Sequence, residues 1–268
     1  MKLAGKRILV TGGSSGIGFE IARSALAKGA RLIITGRNTE RLSRAARGLA
    51  DAKGEVIPLV ADVATGDGRA EMLEATRDRL GGLDILVNNA GAVRAGRLEN
   101  ISEREIRAMI ETNLVAPILL TRACLPELRK GREGMVVNIA SSSAVTGVPF
   151  YSPYAGTKSG LVRFGESLRR ELKGEGVHVL VVYPGATETP MMATSKAGPE
   201  SGYFMESAAS VAAAVIAGIE ANAFEVTRGG KERAQVVALN REDPGQVDEA
   251  FLAIKLSLEE AVRDHKAL

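Results

Sequence analysis

Short runs of β-branched and aliphatic residues alternate along the chain with longer segments whose apolar positions recur at helical spacing. The strand-like runs are Arg7–Thr11, Arg31–Gly36, Glu55–Ala61, Asp84–Asn88, Met135–Ala140, Val177–Tyr183 and Phe224–Thr227. Between them lie the helical patterns Gly16–Lys28, Glu40–Lys53, Gly66–Leu80, Glu103–Lys130, Ser152–Lys173 and Ala208–Ala221. This alternation predicts an α/β fold: a doubly wound parallel sheet of seven strands, joined by right-handed crossovers and covered by helices on both faces. Burial on both faces explains why the strands read as Ile-Leu-Val, Leu-Ile-Ile and Leu-Val-Val with little polar alternation. No linker or repeat divides residues 1–268, so a single domain is expected. Past Tyr183 the rhythm breaks into Pro, Gly, Met and Ser, which predicts a substrate lid over about residues 187–207. A C-terminal extension over about residues 229–268 is expected to end in an amphipathic helix, Gly245–Arg263.

Composition narrows the function classes. Of the 268 residues, 45% are hydrophobic and 25% charged, which excludes extensive disorder and a collagen-like or disulfide-built chain. The lone Cys124 cannot form an intrachain disulfide, and with only His178 and His265 beside it no metal site is expected. Met1–Gly5 lacks a signal-peptide core, and the uninterrupted apolar runs fall short of the roughly 20 residues that span a bilayer. A cytoplasmic protein without a membrane partner is the expectation. The excess of 35 basic over 32 acidic residues is dispersed, and aromatics amount to 4%, so no nucleic-acid partner is expected.

The chemistry begins after the first strand. Gly12, Ser14, Ser15, Gly16, Ile17 and Gly18 form a glycine-rich turn that opens the first helix, where backbone amides and the helix dipole can hold a pyrophosphate. At the end of the second strand, the acidic residue that would bind a ribose 2′-hydroxyl is replaced by Gly36-Arg37-Asn38. The Arg37 guanidinium suits a 2′-phosphate, with Ser14 and Asn38 adding hydrogen bonds, so NADP(H) is expected ahead of NAD(H). Tyr154 and Lys158 are four residues apart, hence on one helical face, and the ammonium is expected to make the phenol more acidic. Ser152 as N-cap and Pro153 at the first helical position would put Tyr154 in the first turn. Pro117 cannot donate to the carbonyl of Asn113, which predicts a local kink in the helix Glu103–Lys130.

The spacing G-x-x-x-G-x-G, the segment Asn88-Asn89-Ala90-Gly91 and Tyr154-Ala155-Gly156-Thr157-Lys158 together resemble the short-chain dehydrogenase/reductase family over about Lys6 to Thr189. The resemblance implies a Rossmann-type fold and hydride transfer between a nicotinamide and a carbonyl or secondary alcohol. It assigns Tyr154 as general acid/base, Ser141 as the group that holds the substrate oxygen, Lys158 to the nicotinamide ribose and Asn113 to a proton relay. Asn89, Ala90 and Gly91 join the cofactor set. It also implies adenine contacts from Asp62 and Val63, though Asp62 could equally be a helix N-cap, and a nicotinamide clamp from Pro184, Gly185, Thr187 and Thr189. Ser142 and Ser143 fall outside the family spacing and Tyr151 lacks a lysine four residues on, so these three are expected to stand outside the chemistry. Met191, Met192, Tyr203, Phe204 and Met205 suggest a moderately hydrophobic substrate. The chain departs from the family after Gly229, which weakens the expectation of a tetramer and favours a homodimer through the two long helices. The alternative to an enzyme is a sensor or regulator that binds NADP without catalysis.

Overall fold

The computed structural model describes residues 1–50, 52–131, 133–201 and 203–268; Asp51, within the expected helix Glu40–Lys53, and Gly202, within the expected lid, lie outside the described residues. The central sheet consists of β1 (Arg7–Val10), β2 (Arg31–Gly36), β3 (Glu55–Val60), β4 (Ile85–Asn88), β5 (Gly134–Ile139), β6 (Val177–Tyr183) and β7 (Glu225–Thr227). All are parallel, in the order β7-β6-β5-β4-β1-β2-β3. The order reverses between β1 and β4, which opens a crevice at their carboxyl ends.

The strands divide their side chains between two cores, as a doubly covered sheet requires. Ile8 and Val10 of β1, Leu32 and Ile34 of β2, and Ile85 and Val87 of β4 pack on one face against α1 (Gly16–Ala27), α2 (Thr39–Leu49) and a later helix, Ala208–Glu220. The intervening Leu9, Ile33 and Leu86 face α3 (Gly66–Leu80) and the helices that follow on the other side.

The long helix expected over Glu103–Lys130 is three pieces in line: α4 (Glu103–Ile110), a π-helical turn (Glu111–Val115) and α5 (Ala116–Lys130). Pro117 supplies no amide for the Asn113 carbonyl, and the ladder there widens so that the Ala116 amide bonds to Glu111 instead. By length and composition this segment could cross a membrane. One face of it, with Ala116, Leu120, Cys124 and Leu128, is buried beneath the sheet. Burial pushes the Cys124 thiol up to about 12, which makes it an apolar filler.

Helix α6 (Ser152–Glu171) starts one residue earlier than expected. Tyr151 takes the cap position and its carbonyl accepts from Ala155, so Ser152 is the first helical residue and does not cap. The chain then forms α7 (Ala208–Glu220), α8 (Gly230–Glu242) and α9 (Pro244–Val262). The region expected as a lid holds two short 3-10 turns, Pro190–Met192 and Pro199–Ser201, braced by a two-residue parallel pairing of Thr187–Glu188 with Glu206–Ser207.

The charged C-terminal segment folds back over the crevice. Lys266–Ala267 pairs antiparallel with Val93–Arg94, Lys266 bridges to Glu105 at 2.6 Å, and Arg97 bridges to Glu259 at 2.5 Å. The Lys266 ammonium and the Ser102 cap hold the Glu105 carboxyl down at about 2.

Candidate active site

Every strand from β1 to β6 delivers a candidate segment to the same carboxyl edge, where the crevice encloses about 1390 Å³. Of the residues assigned in the sequence to catalysis or cofactor binding, all but Gly18 and Asn113 line it. Gly18 is buried behind the glycine turn, and Asn113 is fully buried at the π turn.

The turn is braced from β4. Thr11 Oγ1 accepts from the amides of Asn89 and Ala90, while Asn89 Nδ2 donates to the carbonyls of Thr11 and Gly12 at 2.9 and 3.1 Å. The Asn89 side chain therefore fixes the loop's shape. The first turn of α1 carries no acidic residue, and Ser15 makes no side-chain cap bond, which leaves the helix terminus free to attract an anion. Gly12 and Gly16 hold positive φ values of 65° and 56°, which glycine adopts without strain. A nucleotide pyrophosphate fits this cradle of small residues and backbone donors.

A Cβ at Gly18 would come within 2.5 Å of the Gly12 carbonyl oxygen and would strike Asn89 Nδ2, the same two groups that lock the loop. Gly18→Ala is expected to cost about 1–3 kcal/mol by overpacking. It should lower the melting temperature and weaken dinucleotide binding together, as a thermal melt with and without NADP(H) will register. An unchanged melt would show that the loop yields freely.

Just past the end of β2, Arg37 is exposed, and its guanidinium donates to the Leu268 carbonyl oxygen at 2.8 Å. Asn38 is the N-cap of α2, with Oδ1 accepting from the Arg41 amide at 2.8 Å, so its acceptor oxygen is already engaged. Arg41 lines the crevice one helical turn on from Arg37. The i, i+4 arginine pair was present in the sequence as a signal and went unread. Asp62 lines the crevice but caps no helix: its Oδ1 accepts from Ala64, and Thr65 caps α3.

At the other end Tyr154 projects from the first turn of α6, with the Lys158 Nζ 5.9 Å from its ring centroid. Lys158 is buried, donates to the Ile139 carbonyl at 2.9 Å, and is pushed down to about 8 by burial. Burial also pushes the Tyr154 phenol up to about 12, against the pull of the Ser141 hydroxyl. The phenol is therefore shifted opposite to the expected acidification by its ammonium neighbour, with desolvation by burial as the dominant cause.

Ser141 Oγ accepts from the Ser143 amide at 3.2 Å and from the Ser143 hydroxyl at 2.9 Å. Ser143, set aside on spacing, orients Ser141, and Tyr151 lines the crevice beside Tyr154 with ring centroids 6.2 Å apart. Asn113 Oδ1 accepts from the Ala92 amide at 2.7 Å, and Nδ2 donates to the Ala92 carbonyl and to Thr157 Oγ1. Its side chain ties the β4 loop to α6 rather than facing solvent. Among the lid residues Met191, Met192, Tyr203 and Phe204 reach the crevice, and Met205 does not.

Residues 6–200 match the family model described as short chain dehydrogenase. The chain belongs to the short-chain dehydrogenase family. It is accordingly an oxidoreductase of the class that interconverts alcohols and carbonyls with a nicotinamide dinucleotide. It is 34% identical to the ketoacyl reductase HetN of Nostoc sp. over 84% of this chain and 78% of that one. It is 35% identical to the 3-oxoacyl-[acyl-carrier-protein] reductase FabG of Chlamydia pneumoniae, over 70% of this chain and 76% of the relative. Identity to the 11-beta-hydroxysteroid dehydrogenase 1A of Arabidopsis thaliana is 38%, over 70% of this chain and 54% of the relative. The matched family region stops short of α7, α8 and α9.

Proposed function

We propose that this short-chain dehydrogenase is an NADP(H)-dependent carbonyl reductase for a small, moderately hydrophobic carbonyl compound. The observation that carries the reading is the convergence of Ser141, Tyr154 and Lys158 at one end of a crevice whose other end presents Arg37 and Arg41. Bound there, the dinucleotide supplies a hydride at the nicotinamide C4. Ser141, held by Ser143, donates a hydrogen bond to the substrate oxygen, and Tyr154 delivers the proton that completes the alcohol. Lys158, with one donor spent on Ile139, would offer the rest to the nicotinamide ribose, and Thr187 and Thr189, which line the same crevice, would hold the carboxamide. Arg228 faces the crevice but is bound to Glu206 at 2.8 Å, which leaves it poorly placed to anchor an anionic substrate. The free, buried Cys124 fits a cytoplasmic setting. Only 39% of the apolar window within Glu103–Lys130 is buried by the chain itself, which supports a homodimer through α4, α5 and α6.

The test is consumption of NADPH and of NADH over a panel of ketones and aldehydes, followed across pH. A phenol pushed up to about 12 is protonated at neutral pH and ready to donate, so reduction needs no alkaline activation. The Lys158 ammonium is lost as pH rises through about 8, and kcat/KM for reduction should fall there. Alcohol oxidation needs the phenolate and should gain with pH toward about 12. Reduction that is flat through pH 8, or absent over the whole panel, would defeat the reading.

A further inference from the structure

The substrate end of the crevice has a wall that the catalytic reading leaves unused. His265, which precedes the strand Lys266–Ala267, is fully buried and lines the crevice. Its Nδ1 meets Thr194 Oγ1 at 3.1 Å, while Nε2 finds no partner among the described residues. Ser201, at the end of the short turn Pro199–Ser201, also lines the crevice, is 2% exposed, and has an Oγ without a partner among the described residues. Buried polar groups are ordinarily satisfied by protein, water or ligand. The turn Pro199–Ser201 packs on α9, which ends just before His265, so both unpartnered groups belong to one part of the cleft lining, where a ligand or a bridging water can satisfy them.

The surroundings specify what the ligand offers. Val93, Ala197, Leu258 and Val262 pack in one apolar cluster with Tyr151, whose hydroxyl adds a further buried polar atom to otherwise largely apolar surroundings. Burial and the nearby Arg94 hold the imidazole down at about 4, so it is neutral at physiological pH and has no charge with which to bind an anion. Tyr151 spans the gap to the reacting centre, its ring 6.2 Å from that of Tyr154 and 5.9 Å from that of His265. An apolar body along Tyr151 would bring a second polar atom to the wall.

We propose that His265 Nε2 and Ser201 Oγ form a second polar subsite, which takes an uncharged oxygen, a hydroxyl or a carbonyl, at the end of the substrate remote from the carbonyl reduced at Tyr154. The proposal rests on the reading that Tyr154 marks the reacting end. The C-terminal segment that follows the matched family region is then a specificity element, because it carries the histidine.

Two measurements test it on the full chain with NADP(H) present. In the first, kcat/KM is compared for unbranched methyl ketones and their ω-hydroxy counterparts of equal length. The best hydroxylated member should exceed its plain partner on the order of ten- to a hundredfold. That ratio should collapse toward one in His265→Leu and shrink in Ser201→Ala. In the second, ¹⁵N imidazole NMR follows the two histidines, with His178, bonded to the Ala223 carbonyl, as internal reference. The ω-hydroxy ketone should shift His265 and leave His178 in place, and the plain ketone should shift neither. Turnover of both ketones at equal kcat/KM, or a ratio that survives both variants, overturns the subsite while leaving the reductase reading intact. A His265 shift without any turnover does the reverse. No His265 shift with any member of the series overturns the subsite even if His265→Leu fails to fold.

Discussion

Tyr154→Phe is expected to reduce turnover by about 10²–10⁴-fold, the usual contribution of a positioned general acid, while NADP(H) binds as before. The reason for the split is geometric. Phenylalanine keeps the ring that packs edge-on against Tyr151 and lies beside Lys158, so the wall of the crevice is preserved. The dinucleotide's expected anchors, the glycine turn and Lys158, are untouched by the change. What disappears is the phenol proton delivered to the substrate oxygen, and the hydroxyl of Ser141, held by Ser143 to hydrogen-bond that oxygen, cannot replace it because an aliphatic alcohol is a far weaker acid than a phenol. Single-turnover absorbance of the reduced nicotinamide reads the chemistry, and a fluorescence titration reads binding. Full turnover in the variant would remove Tyr154 from the mechanism, and loss of binding together with turnover would assign it a structural part.

The fold was readable wherever burial is two-sided. Arg31–Gly36 and Val177–Tyr183 match the observed strands to the residue, because a strand covered on both faces must be apolar throughout and is bounded where polar turn residues begin. The C-terminal extension was harder. Helix α8 follows Gly229-Gly230 and is rich in charge, and α9 buries only a thin stripe including Val247, Leu258 and Val262, so no wide apolar face announced that both fold back. At the site, spacing put Tyr154 and Lys158 together, but spacing carries no information about desolvation. The phenol's raised pKa depends on what the tertiary fold stacks above it, as does the orphaned nitrogen of His265. Asn38 was similarly ambiguous: an asparagine after a strand serves a phosphate or a helix N-terminus equally well, and only the start of α2 decides that its oxygen caps. Pro117 was the exception, since a missing amide has a fixed consequence four residues back, and the π turn lies there.

Arg37→Asp is expected to reverse the choice of dinucleotide. Hydrogen bonds from a guanidinium to a phosphate are worth about 1.5–3 kcal/mol each, and tenfold in affinity corresponds to about 1.4 kcal/mol. Loss of the guanidinium should therefore weaken NADP(H) by about ten- to a hundredfold, and repulsion between Asp and the phosphate adds to that loss. The new carboxylate can accept hydrogen bonds from the free 2′-hydroxyl of NAD(H), which should bind more tightly than before. The same change also removes the hydrogen bond that Arg37 makes to the Leu268 carbonyl. That contact lies in the crevice and belongs to the protein, so its loss alters the affinity for both dinucleotides alike and cancels in their ratio. Arg41 one turn away remains in the variant and limits the penalty, so Arg41→Ala in the Arg37→Asp background should widen the reversal. The ratio of dissociation constants, measured by titration of intrinsic or nicotinamide fluorescence, is the decisive quantity. If it is the same in wild type and variant, Arg37 is a solvated side chain bound to its own C-terminal segment, and the preference must be sought in Ser14 or Arg41.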